Sequence, residues 1–201
     1  MAAALGFWYE FASTYSYPAA ARIETSAARA GLAVEWRPFL LGPIFAGQGW
    51  TDSPFNLYPA KGRYMWRDLE RICARDGLGF RRPSAFPRNS LLAARVALIG
   101  ADEGWCGDFT RAVYRANFAE DRDIAQPEVI GSILAALRRP APEILARAAS
   151  PEIKQRLKAQ NEAAAALGIF GAPSFIVAGE LFWGNDRLDD AVAWAGQRQR
   201  A

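Results

Sequence analysis

The stretch from Gly168 to Asp190, GIFGAPSFIVAGELFWGNDRLDD, constrains the fold most, because it reads in one pass as helix end, strand, tight turn, strand and helix start. Gly168 follows the alanine-rich run Glu162 to Leu167 and suits the left-handed conformation that closes a helix. Ser174 to Ala178 reads as a strand, Gly179-Glu180 as the hairpin turn and Leu181 to Trp183 as the returning strand. Gly184-Asn185-Asp186 supplies cap chemistry for a last helix running to about Gln197. Pro173 lacks an amide proton and stands just ahead of a buried strand, where a cis bond would turn the Ala172 backbone outward to meet a ligand.

The other end of the chain supplies a complementary unit. Leu5 to Phe11 is short, aromatic and almost continuously apolar, as a central strand is when both its faces are covered. Met1 to Phe11 has no basic flank and meets Glu10 long before the ~20 residues a membrane span needs, so it reads as a strand rather than a leader. Pro18 belongs in a first helical turn and Gly31 closes that helix, which puts Ser13 at or just before its amino end. Leu32 to Phe39 alternates, with Val34 and Trp36 opposite Glu35 and Arg37, and reads as a second strand.

Between these ends the chain reads as helical. Gly42 to Pro59 is rich in Gly and Pro and is expected as a long loop. Tyr64, Met65, Leu69, Ile72 and Cys73 share a helical face up to Gly77, and Leu91, Leu92, Val96 and Ile99 repeat the pattern up to Gly100 or Gly104. Further helices are expected at Asp108 to Ala119, Pro127 to Leu137 and Pro142 to Ala149. Ser150-Pro151-Glu152 starts a final long helix with Ile153, Leu157 and Leu167 facing inward. The order predicts an α/β fold of thioredoxin-like layout: residues 1–42 and 150–201 form one sheet domain, and residues 43–149 an inserted helical domain.

Composition narrows the chemistry. With 201 residues, 51% of them hydrophobic, the chain can bury a sizeable core. It contains no histidine, which removes Ser-His-Asp and Cys-His catalysis and any imidazole metal ligand. Cys73 and Cys106 are far apart, form no redox or metal spacing, read as core residues on helices and fit a reducing, cytoplasmic compartment. The net charge of +3 is small and the basic residues alternate with acids, which argues against a nucleic-acid partner; no membrane partner is expected either.

Phe11-Ala12-Ser13-Thr14-Tyr15-Ser16-Tyr17, Phe170-Gly171-Ala172-Pro173-Ser174-Phe175, and Leu181 to Leu188 together resemble the 2-hydroxychromene-2-carboxylate isomerases, which belong with the DsbA-like proteins and kappa-class glutathione transferases. The resemblance spans the chain and includes Lys61-Gly62-Arg63-Tyr64. Thr14 departs from it, since the family usually has proline there. The resemblance implies a DsbA-type thioredoxin fold, glutathione as cofactor, a small aromatic carboxylate as substrate and a homodimer.

Disulfide oxidoreductases of this fold carry Cys-x-x-Cys after the first strand, whereas here the positions read Ser13-Thr14-Tyr15-Ser16. Without a thiol there is no dithiol exchange. A serine near a helix amino end can instead donate a hydrogen bond to a cofactor's thiolate. The helix end adds roughly 0.3 to 1 kcal/mol in favour of the anion. From spacing alone Ser13 reads as a helix cap; the resemblance assigns it catalysis. It also assigns the Ala172-Pro173 backbone to the cysteinyl part of glutathione and Asn185 and Asp186 to its γ-glutamyl end. Lys61, one of three lysines, is a candidate for the glycyl carboxylate or the substrate, or is simply solvated. Arg88 and Asn89 are candidates for a substrate carboxylate, with surface helix capping as the alternative. Trp50, Phe55, Tyr58 and Trp66 wall a flat aromatic substrate or pack the core. The reaction so implied is the glutathione-dependent interconversion of 2-hydroxychromene-2-carboxylate and trans-o-hydroxybenzylidenepyruvate. A kappa-like transferase or peroxidase, and a thioredoxin-like binding module without turnover, are the alternatives.

Overall fold

A computed structural model describes residues 4–198 of the chain; residues 1–3, the start of the apolar run expected as the first strand, and residues 199–201 lie outside the described residues. Strand β1 (Ala4–Tyr9), helix α1 (Ser16–Arg29) and strand β2 (Ala33–Pro38) open the fold. Helices α2 (Leu41–Gly47), α3 (Pro54–Leu57), α4 (Pro59–Asp76), α5 (Leu91–Glu103), α6 (Cys106–Phe118), α7 (Pro127–Ala136), α8 (Ala141–Ala148) and α9 (Pro151–Ala166) follow. Strands β3 (Ser174–Val177) and β4 (Glu180–Trp183), a 3-10 turn at Asn185–Arg187 and helix α10 (Leu188–Arg198) complete it.

Both ends of the chain build one sheet, in the order β2-β1-β3-β4. β2 runs parallel to β1, and β3 is antiparallel to both β1 and β4. This is the thioredoxin-like arrangement, with the helical insertion entering after β2. β1 is central, which explains its unbroken apolar sequence. Leu5, Phe7 and Tyr9 face the main core with Phe11, while Trp8 points the other way, among Phe39, Ile44, Ala164 and Ile169. The Phe7 ring stacks on Phe175 of β3 at 5.6 Å and on Tyr9 at 4.9 Å. Each such ring removed from water contributes about 1.5–3 kcal/mol. Val96, Phe109, Val113 and Tyr114 of the inserted helices share this core, so the insertion packs directly onto the sheet.

Several local expectations are corrected. The Gly- and Pro-rich 42–59 segment holds α2 and α3, because Pro43 falls in a first turn and Ser53 Oγ accepts from the Phe55 amide beside Pro54. The hairpin turns at Ala178-Gly179, both with positive φ (49° and 83°), and Glu180 already belongs to β4. Of the two expected ends of α5, the helix passes Gly100 and stops at the left-handed Gly104, as the second alternative had it. Tyr64 and Leu167 are exposed rather than inward-facing.

Candidate active site

The chain leaves β1 into a tight loop that is tied at both ends. The Ser13 amide donates to the Glu10 carbonyl at 2.9 Å, and Ser13 Oγ accepts from the Ser16 amide at 3.3 Å and from Ser16 Oγ at 3.0 Å. Ser16 is fully buried at the start of α1. Ser13 therefore caps the helix and keeps its own proton for another acceptor. That acceptor is the carbonyl of Ala172, 2.9 Å away.

Ala172 precedes a cis peptide bond to Pro173. The Pro173 carbonyl accepts from the Gly184 amide at 2.9 Å, so the loop before β3 is anchored to the segment after β4. This anchor carries Asn185 and Asp186. Asn185 is buried, and Asp186 is exposed beside Arg187. Gly184 has φ 114°, a backbone conformation that residues with a side chain rarely adopt. From α1, Arg22 donates to the Asn185 carbonyl at 2.5 Å and to both Asp189 oxygens at 3.0 and 3.1 Å. Sequence reasoning missed Arg22, because its partners lie about 165 positions away and no motif marks it.

Ser13, Thr14, Ala172, Asn185 and Asp186 line a common cleft of about 1600 Å³ that residues of α2, α3 and α4 also border. Thr14 Oγ1 and Asn185 Oδ1 are buried there without a hydrogen-bond partner among the described residues. Pro173 is buried directly behind Ala172. Across the cleft stand Trp50, Phe55 and the exposed Lys61. Gly62 sets that wall: a Cβ there would come within 2.3 Å of the Phe55 carbonyl, so only glycine lets α3 and α4 approach this closely. Tyr58 lies outside the cleft lining, half-exposed, with the Lys61 ammonium 4.8 Å from its ring centroid. Trp66 is buried against Phe80 and Phe86 and belongs to the core.

Arg88 and Asn89 also border the cleft, but surface capping does not describe Arg88. It is buried, pairs with the Asp121 carboxylate, and donates to Asn117 Oδ1 at 3.0 Å and to the Arg122 carbonyl at 2.9 Å. The Ser84 amide and Arg88 together hold the Asp121 carboxyl at about 2. Asn117 in turn donates to the Phe11 carbonyl at 3.0 Å, so Arg88 braces the loop that carries Ser13. Asn89 is a local cap, its Oδ1 accepting from the Leu91 amide at 2.9 Å.

The DSBA-like thioredoxin domain model matches residues 4–193, nearly the whole chain. The chain belongs to that family. Its sequence is 27% identical over 191 residues to the 2-hydroxychromene-2-carboxylate isomerase of Sphingobium xenophagum, covering 94% of this chain and 96% of the relative. It is 28% identical over 182 residues to glutathione S-transferase kappa 1 of Homo sapiens, covering 82% and 78% respectively. A solved 2-hydroxychromene-2-carboxylate isomerase structure superposes with a TM-score of 0.88 at 22% identity, over 98% of this chain and 96% of that one. That likeness shows the shared fold.

No cysteine lines the cleft. Cys73 and Cys106 are buried in α4 and α6, where burial pushes each thiol up to about 11. The Cys106 sulfur lies 3.4 Å from the Tyr9 hydroxyl, inside the core. What the cleft offers is the Ser13 hydroxyl, the Ala172 backbone and the polar groups of Thr14 and Asn185. It also holds Glu10, an acid that sequence reasoning met only as the end of an apolar run. The signal was available: one charge inside the otherwise apolar run Leu5 to Phe11, just past the central strand, has to be either paired or functional. Among the described residues no cluster of acids or cysteines is arranged to hold a metal ion, and no helix is long and apolar enough to cross a membrane.

Proposed function

We propose that this chain is a glutathione-dependent isomerase that interconverts 2-hydroxychromene-2-carboxylate and trans-o-hydroxybenzylidenepyruvate. The observation that carries the reading is Ser13: it stands at the redox position of a disulfide-exchange fold, its oxygen accepting from Ser16 and its hydroxyl directed at the cis-proline loop. Such a hydroxyl can stabilise a thiolate that it does not itself supply. The residues present fit glutathione. The unpartnered Asn185 Oδ1 and the Asp186 carboxylate suit the ammonium of a γ-glutamyl group, and the amino end of the last helix suits its carboxylate. The backbone at Ala172, ahead of Pro173, suits an extended peptide laid beside it, and Lys61 suits a terminal carboxylate. When bound, glutathione would supply a thiolate nucleophile whose reversible addition makes a substrate double bond rotatable.

Within this reading Ser13 holds the sulfur as an anion, Ser16 keeps donating to Ser13 Oγ while the Ser13 hydroxyl turns, and Trp50 and Phe55 flank the aromatic substrate. Arg88 and Asn89 act on the shape of the substrate wall. We place the site between a sheet domain of residues 1–42 and 150–201 and an inserted helical domain of residues 43–149, in a cytoplasmic homodimer. The similarity to kappa 1 supports a second reading, a glutathione transferase that releases its conjugate. The deciding experiment is incubation of 2-hydroxychromene-2-carboxylate with substoichiometric glutathione. The isomerase converts many equivalents, and the transferase stops when the thiol is spent.

A further inference from the structure

We propose that Glu10 is the acid–base group of this cleft, giving a proton to the keto oxygen of the substrate while its carbon–carbon double bond is open and taking it back as that bond re-forms. The inference rests on the isomerase reading and adds to it the group that handles the proton.

The position supports it. Glu10 directly follows β1, three residues before Ser13, its carbonyl receives the Ser13 amide, and both residues line the same cleft. Its carboxyl is held by the Ser90 hydroxyl and the Ala12 amide and has no cationic partner. Ser90 lines the cleft as well, so the pair joins the Ser13 loop to the amino end of α5. A buried acid without a counterion costs several kcal/mol if ionised. Protonated, it costs little and is a donor. Burial outweighs the two hydrogen bonds and pushes the Glu10 carboxyl up to about 7, the range in which one group can both give and accept a proton.

The groups facing Glu10 leave this task to it. Tyr114 of α6 spends its hydroxyl on the Glu10 carbonyl and is itself held protonated by burial. Tyr9, the last residue of β1, bonds Thr110 across the core. Arg88, ahead of α5, is committed to Asp121 and Asn117. Lys61 and Asp68 of α4 stand on the cleft wall, and Asp68 takes the Tyr15 hydroxyl at 3.0 Å. With no histidine in the chain, Glu10 is the described group in the cleft poised near neutrality. The proton balance closes: the Glu10 O–H breaks as the substrate O–H forms, the reverse follows, and no oxidant or reductant is needed.

The test compares wild type, Glu10→Gln and Glu10→Asp by two readouts. The carboxyl carbon of labelled glutamate, followed by NMR, should show one signal titrating near pH 7 that is missing in Glu10→Gln. Turnover should fall in wild type as pH rises through about 7, and Glu10→Gln should be roughly 100-fold slower at neutral pH and lack that limb, whereas Glu10→Asp retains it. A carboxyl that titrates in the ordinary glutamate range, or a Glu10→Gln enzyme with the wild-type limb, overturns the proposal. If Glu10→Gln does not fold, the wild-type titration and the Glu10→Asp profile still decide. Absence of turnover in wild type removes the isomerase reading and this step together, while turnover with an unchanged limb removes this step alone.

Discussion

Ser13 Oγ donates to the carbonyl of Ala172 at 2.9 Å, joining the loop after the first strand to the cis-proline loop 159 positions later. The bond sets the resting state of the site. For Ser13 to stabilise a thiolate, its hydroxyl has to leave Ala172, while the Ser16 hydroxyl and amide continue to donate to Ser13 Oγ.

Ser13→Ala is therefore expected to have two separable effects. Loss of the Ser13 oxygen strips Ser16 of an acceptor and the helix of a cap, costing about 1 kcal/mol of stability, measurable by denaturant titration. The variant should still bind glutathione, but the bound thiol should ionise at higher pH. Ultraviolet absorbance of the bound thiolate against pH reports this, and an unchanged titration removes Ser13 from the mechanism.

Glu10 predicts an unusual pH dependence of stability. The folded chain keeps this proton to about pH 7, whereas an unperturbed glutamate releases it near 4.5. Folding takes up a proton between those values, so this contribution to stability is present below about 4.5 and is lost as pH rises through about 7. The loss amounts to about 3 kcal/mol. Glu10→Gln should abolish that slope and be the more stable protein at pH 8 relative to its behaviour at pH 4.5. Parallel slopes for the two proteins would mean that Glu10 is ionised in the folded state.

Much of this architecture was legible in the sequence. The two ends declared themselves because β1 and β3 carry apolar runs and because Pro18, Ser150-Pro151 and Gly168 are local signals that tertiary context did not override. Helices α2 and α3 were hidden by Gly and Pro composition, although Ser53-Pro54 is the same start signal as Ser150-Pro151. The turn at Ala178 depends on a left-handed alanine, which no propensity marks. In the site, Ser13 and the cis-proline loop stood out, but the supports of the site did not. Arg22, Arg88 and Asn117 act through partners distant in sequence, and only folding brings them together.

Arg22 and Arg88 should fail differently. Arg22→Ala removes the clamp on the Asn185 carbonyl and Asp189 at the half-exposed edge of the cleft. It is expected to weaken glutathione binding roughly tenfold, about 1.4 kcal/mol, with a smaller loss of stability. Arg88→Ala leaves a buried network without its centre and should cost about 3 kcal/mol of stability. Calorimetric affinities and denaturation curves for both variants check the pair, and equal effects on binding and folding in both would contradict the assignment.

The central claim is that the thiol of this site is a catalyst and is returned. The most direct measurement follows 2-hydroxychromene-2-carboxylate spectroscopically, with glutathione well below the substrate concentration, and counts free thiol at equilibrium with a thiol reagent. The account predicts many turnovers per glutathione with the free thiol undiminished. Loss of one thiol per substrate, with a stable conjugate in solution, would contradict it.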